Sequence, residues 1–265
     1  MDKLKSLKKM FRDMGSAVVA YSGGLDSTFL LRVASEALPG KVLAVTAVSS
    51  TYPPEELDFS RRMSQTLGVR HKVINTEELK DRRFVSNTEN RCYFCKKELF
   101  ARLSDIARKN KLKFVCDASN VSDNADYRPG NKAKEEFGIR SPLKEAGFTK
   151  EDIRRISRKL GLHSWNKPSL ACLASRIPYG VKITPRLLSR IHKAERFLTT
   201  LGFKQVRLRH YNGLCRIEVF DKEIPKLLRK RDLIVGRLKE LGYNYVTVDL
   251  EGYRTGSMNE VLRRG

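Results

Sequence analysis

Glutamine is nearly absent from this chain, which carries only Gln65 and Gln205, and tryptophan occurs once, at Trp165. No apolar run approaches the roughly 20 residues needed to cross a bilayer, so no transmembrane helix is expected. No apolar stretch follows Met1-Asp2-Lys3-Leu4-Lys5 that could form the core of a secretory signal; the segment reads as an ordinary first helix, and a cytoplasmic location is expected. Internal repeats and low-complexity tracts are missing too. Acidic residues are the minority: 30 Asp and Glu against 53 Lys and Arg leave a net charge of +23. Scarce glutamine beside abundant charge suits a heat-adapted protein. The positive excess points to an anionic partner, whether nucleotide, other phosphorylated compound or nucleic acid. Much of that charge sits at solvent-facing helical positions, as in Arg154-Arg155 and Arg229-Lys230-Arg231, so nucleic acid is not the expected partner.

What remains is a globular composition, 40% hydrophobic and 31% charged over 265 residues. That length buries the core of one α/β domain with a smaller companion. The five cysteines, Cys92, Cys95, Cys116, Cys172 and Cys215, are odd in number. Without a secretion signal, metal binding or thiol chemistry is expected before a disulfide framework.

Short apolar runs at Ala17 to Tyr21 and Val42 to Val48, then His71 to Ile74, alternate with helical patterns over Thr28 to Leu38 and Pro53 to Leu67. This βαβαβ order predicts a doubly wound parallel sheet. A helix from Tyr93 to Lys109 and a fourth strand from Lys113 to Asp117 continue it. Ala118 to Gly147 reads as a long irregular, functional loop. Thr149 and Asp152 are placed to form a capping box. The first domain is taken as residues 1–165, with a non-periodic crossing over 166–183. Thr184-Pro185 then starts a smaller C-terminal α+β domain, residues 184–265. Its order is α-β-β-α-β: a helix to Leu201, strands Lys204 to His210 and Leu214 to Phe220 joined at Asn212-Gly213, a helix from Lys222 to Leu241, and a strand from Tyr245 to Leu250.

Ser22-Gly23-Gly24-Leu25-Asp26-Ser27 lies between the first strand and its helix. Glycines let the backbone approach an anion, and amides at a helix N-terminus point at phosphate oxygens. Ser22 and Ser27 add hydroxyls. Asp26 is out of place beside a phosphate unless Mg²⁺ lies between them. The loop lacks the lysine of a Walker A motif. It resembles the loop of ATP pyrophosphatases, which implies cleavage of ATP between the α and β phosphates and transfer of AMP to a substrate oxygen.

Arg91-Cys92-Tyr93-Phe94-Cys95-Lys96 opens a helix, so two thiols three residues apart face one way, near basic side chains and a helix N-terminus. Cys172, within Lys167 to Arg176, is a third candidate. Three thiolates suit an iron–sulfur cluster with one iron left open; a zinc site completed by His, a redox pair and inert thiols are the competing readings. Cys116 and Cys215 read as small buried hydrophobes.

Together these residues resemble the LarE family of ATP-dependent sulfur transferases. The resemblance rests on Ser22 to Ser27, Arg91 to Lys96, Asp126-Tyr127-Arg128-Pro129-Gly130, Trp165 to Gly180, Arg207 to His210 with Arg216 to Val219, and the tail Asp249 to Glu260. It implies ATP-dependent adenylylation of a carboxylate of pyridinium-3,5-dicarboxylate mononucleotide, then conversion to a thiocarboxylate, for the nickel-pincer nucleotide cofactor. In one branch of the family the cysteine at the position of Cys172 is a sacrificial sulfur donor. The added Cys92 and Cys95 imply the other branch, in which a [4Fe-4S] cluster held by Cys92, Cys95 and Cys172 carries an extra sulfide. The resemblance also implies that Arg207 and Arg209 hold the substrate phosphate and that Glu195 and Glu218 serve a divalent cation. A sulfide source and a homo-oligomeric assembly are expected. The rivals are a tRNA thiolase of the same superfamily, which the charge favours, an ammonia-dependent amidotransferase or synthetase, and a non-catalytic nucleotide or RNA binder.

Overall fold

The computed structural model describes residues 2–125, 129–168 and 171–263. In chain order its elements are α1 (Lys3–Met14), β1 (Ala17–Ala20), α2 (Leu25–Ala37), β2 (Val42–Val48), α3 (Pro54–Thr66), β3 (Arg70–Asn75), α4 (Arg82–Val85), α5 (Arg91–Lys109), β4 (Phe114–Cys116), α6 (Gly130–Glu136), α7 (Pro142–Glu145) and α8 (Lys150–Lys159). They continue with α9 (Pro185–Thr200), β5 (Arg207–Tyr211), β6 (Leu214–Glu218), α10 (Ile224–Arg229), α11 (Arg231–Glu240) and β7 (Tyr245–Val248). No helix among the described residues is long and apolar enough to cross a membrane.

The chain divides into two units, residues 1–78 with 89–169 and residues 79–88 with 170–265. In the first, four parallel strands run in the order β3-β2-β1-β4. Both faces of the central strand are buried. Ala17 and Val19 join a core formed with Leu7 and Phe11 of α1, Phe29 and Leu30 of α2, and Phe148 and Ile153 around α8. Val18, between them, points the other way, into a core with Leu43, Val45 and Phe100 and Leu103 of α5. Alternation along a strand thus splits one apolar run between two helical layers, the mark of a doubly wound sheet.

The second unit carries the sheet β5-β6-β7, antiparallel between β5 and β6 and parallel between β6 and β7. Asn212 and Gly213 both take positive φ, 46° and 102°, as the tight hairpin turn requires.

The structure departs from the sequence reading at four places. Helix α2 starts at Leu25, not Thr28, so Asp26 and Ser27 lie in its first turn. The stretch from Ala118 to Gly147 contains the short helices α6 and α7, too brief to show a period. The expected helix from Lys222 to Leu241 is two helices broken at Lys230. The first begins at Ile224 because Pro225 is tolerated in an opening turn and not in a helix interior. Residues 79–88 belong with the second unit, which no periodicity announced. The clamp is Asn87, fully buried, whose Nδ2 donates to the carbonyls of Ile177, Pro178 and Val181 at 3.3, 2.7 and 2.9 Å.

Candidate functional site

In the first unit the strand order places β1 between β2 and β4, so the chain winds outward in one direction and then returns to β1's other side. Ligands of such sheets bind beyond the carboxyl ends of the strands at this switch. Ser22 to Ser27 stands there. Ser22 Oγ and Ser27 Oγ are 3.1 Å apart, and Ser27 Oγ donates to the Gly24 carbonyl at 3.2 Å. Gly23 has φ 70°, and a Cβ there would lie 3.3 Å from both the Glu56 carbonyl and Ser60 Cβ of α3, so the turn admits glycine alone without strain.

The loop is held from beneath by a residue that sequence reasoning passed over. Lys167 Nζ donates to the Gly23 carbonyl at 3.2 Å and to Glu56, and sits 3.6 Å from the centroid of the Phe59 ring. Burial pulls the Lys167 ammonium down and pushes the Glu56 carboxyl up, each opposed by the other's charge. Only tertiary contact reveals this role, since Lys167 lies 144 residues from Gly23.

Asp26 projects from the first turn of α2. Lys150, which opens α8, donates to its Oδ2 at 3.1 Å. Burial pushes the Asp26 carboxyl above its ordinary value, with Lys150 opposing. Its second oxygen, Oδ1, is buried without a hydrogen-bond partner. An incompletely satisfied carboxylate in an anion-binding loop fits Mg²⁺, which binds through one or two carboxylates and substrate phosphates.

The cysteines separate into two classes by burial. Cys116 and Cys215 are buried; loss of solvent pushes both thiols up, that of Cys215 to about 12. Cys92 and Cys172 are exposed, and Cys95 is half-buried. Cys92 and Cys95 lie at the start of α5, in the first unit. Cys172 belongs to the second, where it leads into a 3-10 turn, Leu173–Arg176. Arg176 fixes that turn: its Nη1 donates to the carbonyls of Ala171 and Cys172 at 2.9 and 3.2 Å. Among the described residues no group of three or more His, Cys, Asp or Glu side chains is arranged to hold a metal ion. Asp126, Tyr127 and Arg128 of the expected motif, and Ser169 and Leu170 beside Cys172, lie outside the described residues.

In the second unit Arg207 and Arg209 alternate along β5 and are both buried, at 6% and 4% exposure. Arg209 forms a bidentate pair with Glu218 on β6, Nε to Oε1 at 2.8 Å and Nη2 to Oε2 at 2.7 Å. Glu218 is fully buried and also accepts from Ser257 and Arg216. Glu195 of α9 pairs with Arg176 through both oxygens at 2.9 Å and accepts the Leu208 N–H at 2.8 Å. Burial raises the Glu195 carboxyl, but Arg176 and Arg207 outweigh it and hold it below its ordinary value. Burial and the nearby Arg176 pull Arg207 down to about 10. The second unit therefore gathers buried guanidinium groups whose mutual repulsion an anion would relieve. A divalent cation at Glu195 and Glu218 would instead compete with these arginines for both carboxylates.

A parallel sheet with a Ser-Gly-Gly-Leu-Asp-Ser loop at its switch point defines a PP-loop ATP pyrophosphatase fold. Residues 16–102 match the family model of Queuosine biosynthesis protein QueC. A pyridinium-3,5-bisthiocarboxylic acid mononucleotide synthase of Lactiplantibacillus plantarum is 38% identical, over 99% of this chain and 95% of its own. An uncharacterized protein of Synechocystis is 42% identical over 99% of this chain and 98% of its own, and one of Methanocaldococcus jannaschii is 30% identical over 96% of each. The chain belongs to the LarE family of ATP-dependent sulfur transferases.

Proposed function

We propose that this protein adenylylates a carboxylate of pyridinium-3,5-dicarboxylate mononucleotide, or of its partly thiolated form, and converts it to a thiocarboxylate in nickel-pincer nucleotide synthesis. The observation that carries the reading is Asp26: a half-buried carboxylate with one buried, unpartnered oxygen in the switch-point loop, in a chain related over 99% of its length to a mononucleotide synthase. ATP binds with its phosphates on the amides and hydroxyls of Ser22 to Ser27, and Asp26 serves the Mg²⁺. A substrate carboxylate oxygen attacks the α-phosphorus, and the bond from that phosphorus to the bridging oxygen breaks, releasing pyrophosphate. Sulfide then attacks the acyl carbon, and the C–O bond to AMP breaks. The buried arginines of β5 orient the substrate through its phosphate, with Arg207 as the direct contact.

Cys92, Cys95 and Cys172 would hold a [4Fe-4S] cluster, which would supply a bound sulfide for that attack. Support comes from the chemistry of the donor set: these are the thiols that reach solvent, in a protein whose other two are buried. The same reading includes a separate sulfide source, a cytoplasmic location and homo-oligomeric assembly. The last is supported by exposed apolar side chains of the second unit, Leu228, Leu233, Tyr245 and Leu250.

The test supplies purified protein with MgATP, the pyridinium mononucleotide and sulfide. AMP, pyrophosphate and a thiocarboxylate should appear together. Pyrophosphate release that responds to tRNA or ammonia, and not to the mononucleotide, would contradict it.

A further inference from the structure

One face of the sheet in the second unit is polar. Arg207, Arg209 and Tyr211 alternate along β5 and stand opposite Glu218, Arg216 and Leu214 of β6. Residues two apart on a strand, and residues opposite each other across a ladder, share a face. The chain around Ser175 and the C-terminal tail pack over it: Arg209 donates to the Ser175 carbonyl at 3.0 Å and to Ser257 Oγ at 2.9 Å.

Beside Arg209 these layers enclose a cavity of about 180 Å³, lined by Pro178, Tyr179, Tyr211, Arg216, Ser257 and Met258. A cavity of about 150 Å³ holds one benzene, so this one takes a single substituted ring and not a whole nucleotide. Its walls are fixed. Tyr179 Oη donates to Asn259 Oδ1 at 2.9 Å, and Tyr211 Oη to Met258 Sδ at 3.8 Å, so each ring is tied to the tail by its hydroxyl. The Arg216 guanidinium lies 5.4 Å from the centroid of the Tyr211 ring.

The plain alternative is that Arg216 merely neutralises the carboxylates behind it, Glu218 at 3.2 Å and Asp249 at 3.4 Å. Neither depends on it. Glu218 has both oxygens met by Arg209 and accepts from Ser257 as well, and Arg254 stands 3.6 Å from Asp249. Arg216 Nε is buried without a hydrogen bond, while the side chain keeps 31% exposure. A guanidinium in this position is equipped to receive a planar carboxylate, whose two oxygens match its fork. Tyrosine faces attract a cationic ring, and Glu260 also borders the cavity. A cationic ring that bears a carboxylate satisfies both halves of this lining. The spacing agrees: Arg207 lies two residues, or roughly 7 Å, along β5 from the Arg209–Arg216 pair, the reach of a ribose between a phosphate and its base.

We infer that this cavity seats the pyridinium ring of the substrate, with Arg216 on a ring carboxylate, Tyr179 and Tyr211 against the ring, and the phosphate on Arg207. The inference rests on the substrate being a pyridinium mononucleotide.

Calorimetric titration of the full chain with nicotinate mononucleotide, nicotinamide mononucleotide and ribose 5-phosphate tests it. The first carries a ring carboxylate, the second an uncharged amide in its place, the third no ring. The wild type should prefer the first to the second by about ten- to a hundredfold, the range for one charge-assisted contact. Arg216→Gln should abolish that preference and leave ribose 5-phosphate unchanged. Tyr211→Leu, at a ring 37% exposed, should weaken both mononucleotides by about three- to tenfold and spare ribose 5-phosphate. Equal losses for all three ligands would mark a merely structural role and overturn the inference. If the wild type binds none of the three, the mononucleotide reading falls and takes this one with it. If the wild type binds the mononucleotides and both variants match it, only the ring cavity falls.

Discussion

Arg209 and Glu218 meet across β5 and β6 as a buried bidentate ion pair, with side chains 5% and 0% exposed. The pair separates two arginines that look equivalent in sequence. Arg209 Nε and Nη2 serve Glu218, its Nη2 also donates to Ser257, and its Nη1 donates to the Ser175 carbonyl at 3.0 Å. Arg209 is therefore built mainly to hold β5, β6 and the Cys172 turn together. Removing one partner of a buried pair costs about 3–5 kcal/mol, because the other charge stays behind. Arg209→Ala should lose stability on that scale in urea unfolding. Arg207→Ala should lose mononucleotide affinity; its side chain is packed as well, over the Tyr253 ring and donating to the Val206 carbonyl. Unchanged mononucleotide affinity in Arg207→Ala would remove Arg207 from the phosphate site.

Glu195 predicts a pH dependence. Its carboxyl is held below its ordinary value of 4.5, because Arg176 and Arg207 outweigh burial. A depressed folded-state pKa means that the ionised form stabilises the fold. That contribution is fully present above 4.5 and is lost as pH falls through the lower folded value. Glu195→Gln should therefore be less stable than wild type at neutral pH, with the gap closing in acid. A gap independent of pH in thermal unfolding would show that the ion pair is not its source.

Asp26→Asn should keep the fold and lose adenylylation. The carboxylate carries an unpartnered buried oxygen, so the uncharged amide removes a strained charge while the loop keeps its serine hydrogen bonds. Cys172→Ala should still release pyrophosphate, since its thiol enters only at sulfur transfer. Wild-type rates of pyrophosphate release in Asp26→Asn would remove Asp26 from the phosphate site.

Much of this architecture is legible in the chain because it rests on local rules. The strand–loop–helix order around Ser22 to Ser27, the Thr149–Asp152 capping box and the Asn212-Gly213 hairpin each follow from a few adjacent residues. What escaped depends on distance. Lys150 beneath Asp26, Lys167 beneath Gly23 and Asn87 clamping residues 177–181 join positions 90 to 144 apart, and nothing in a short window marks them. The roles of Glu195 and Glu218 were obscured for a related reason. A glutamate on a helix or strand looks solvated until the arginine that neutralises it is located, and both proved to be buried in ion pairs.

The source of the transferred sulfur is the central claim, and the intact mass of the protein before and after anaerobic turnover, read beside its iron content and Mössbauer spectrum, tests it most directly. The account predicts a [4Fe-4S] signal, multiple turnovers with added sulfide, and an unchanged mass at Cys172. Cys92→Ala, Cys95→Ala and Cys172→Ala should each lose iron and turnover together, while Cys116→Ala and Cys215→Ala keep both. A single turnover that converts Cys172 to dehydroalanine, with loss of the elements of H₂S and no need for Cys92 or Cys95, would contradict it.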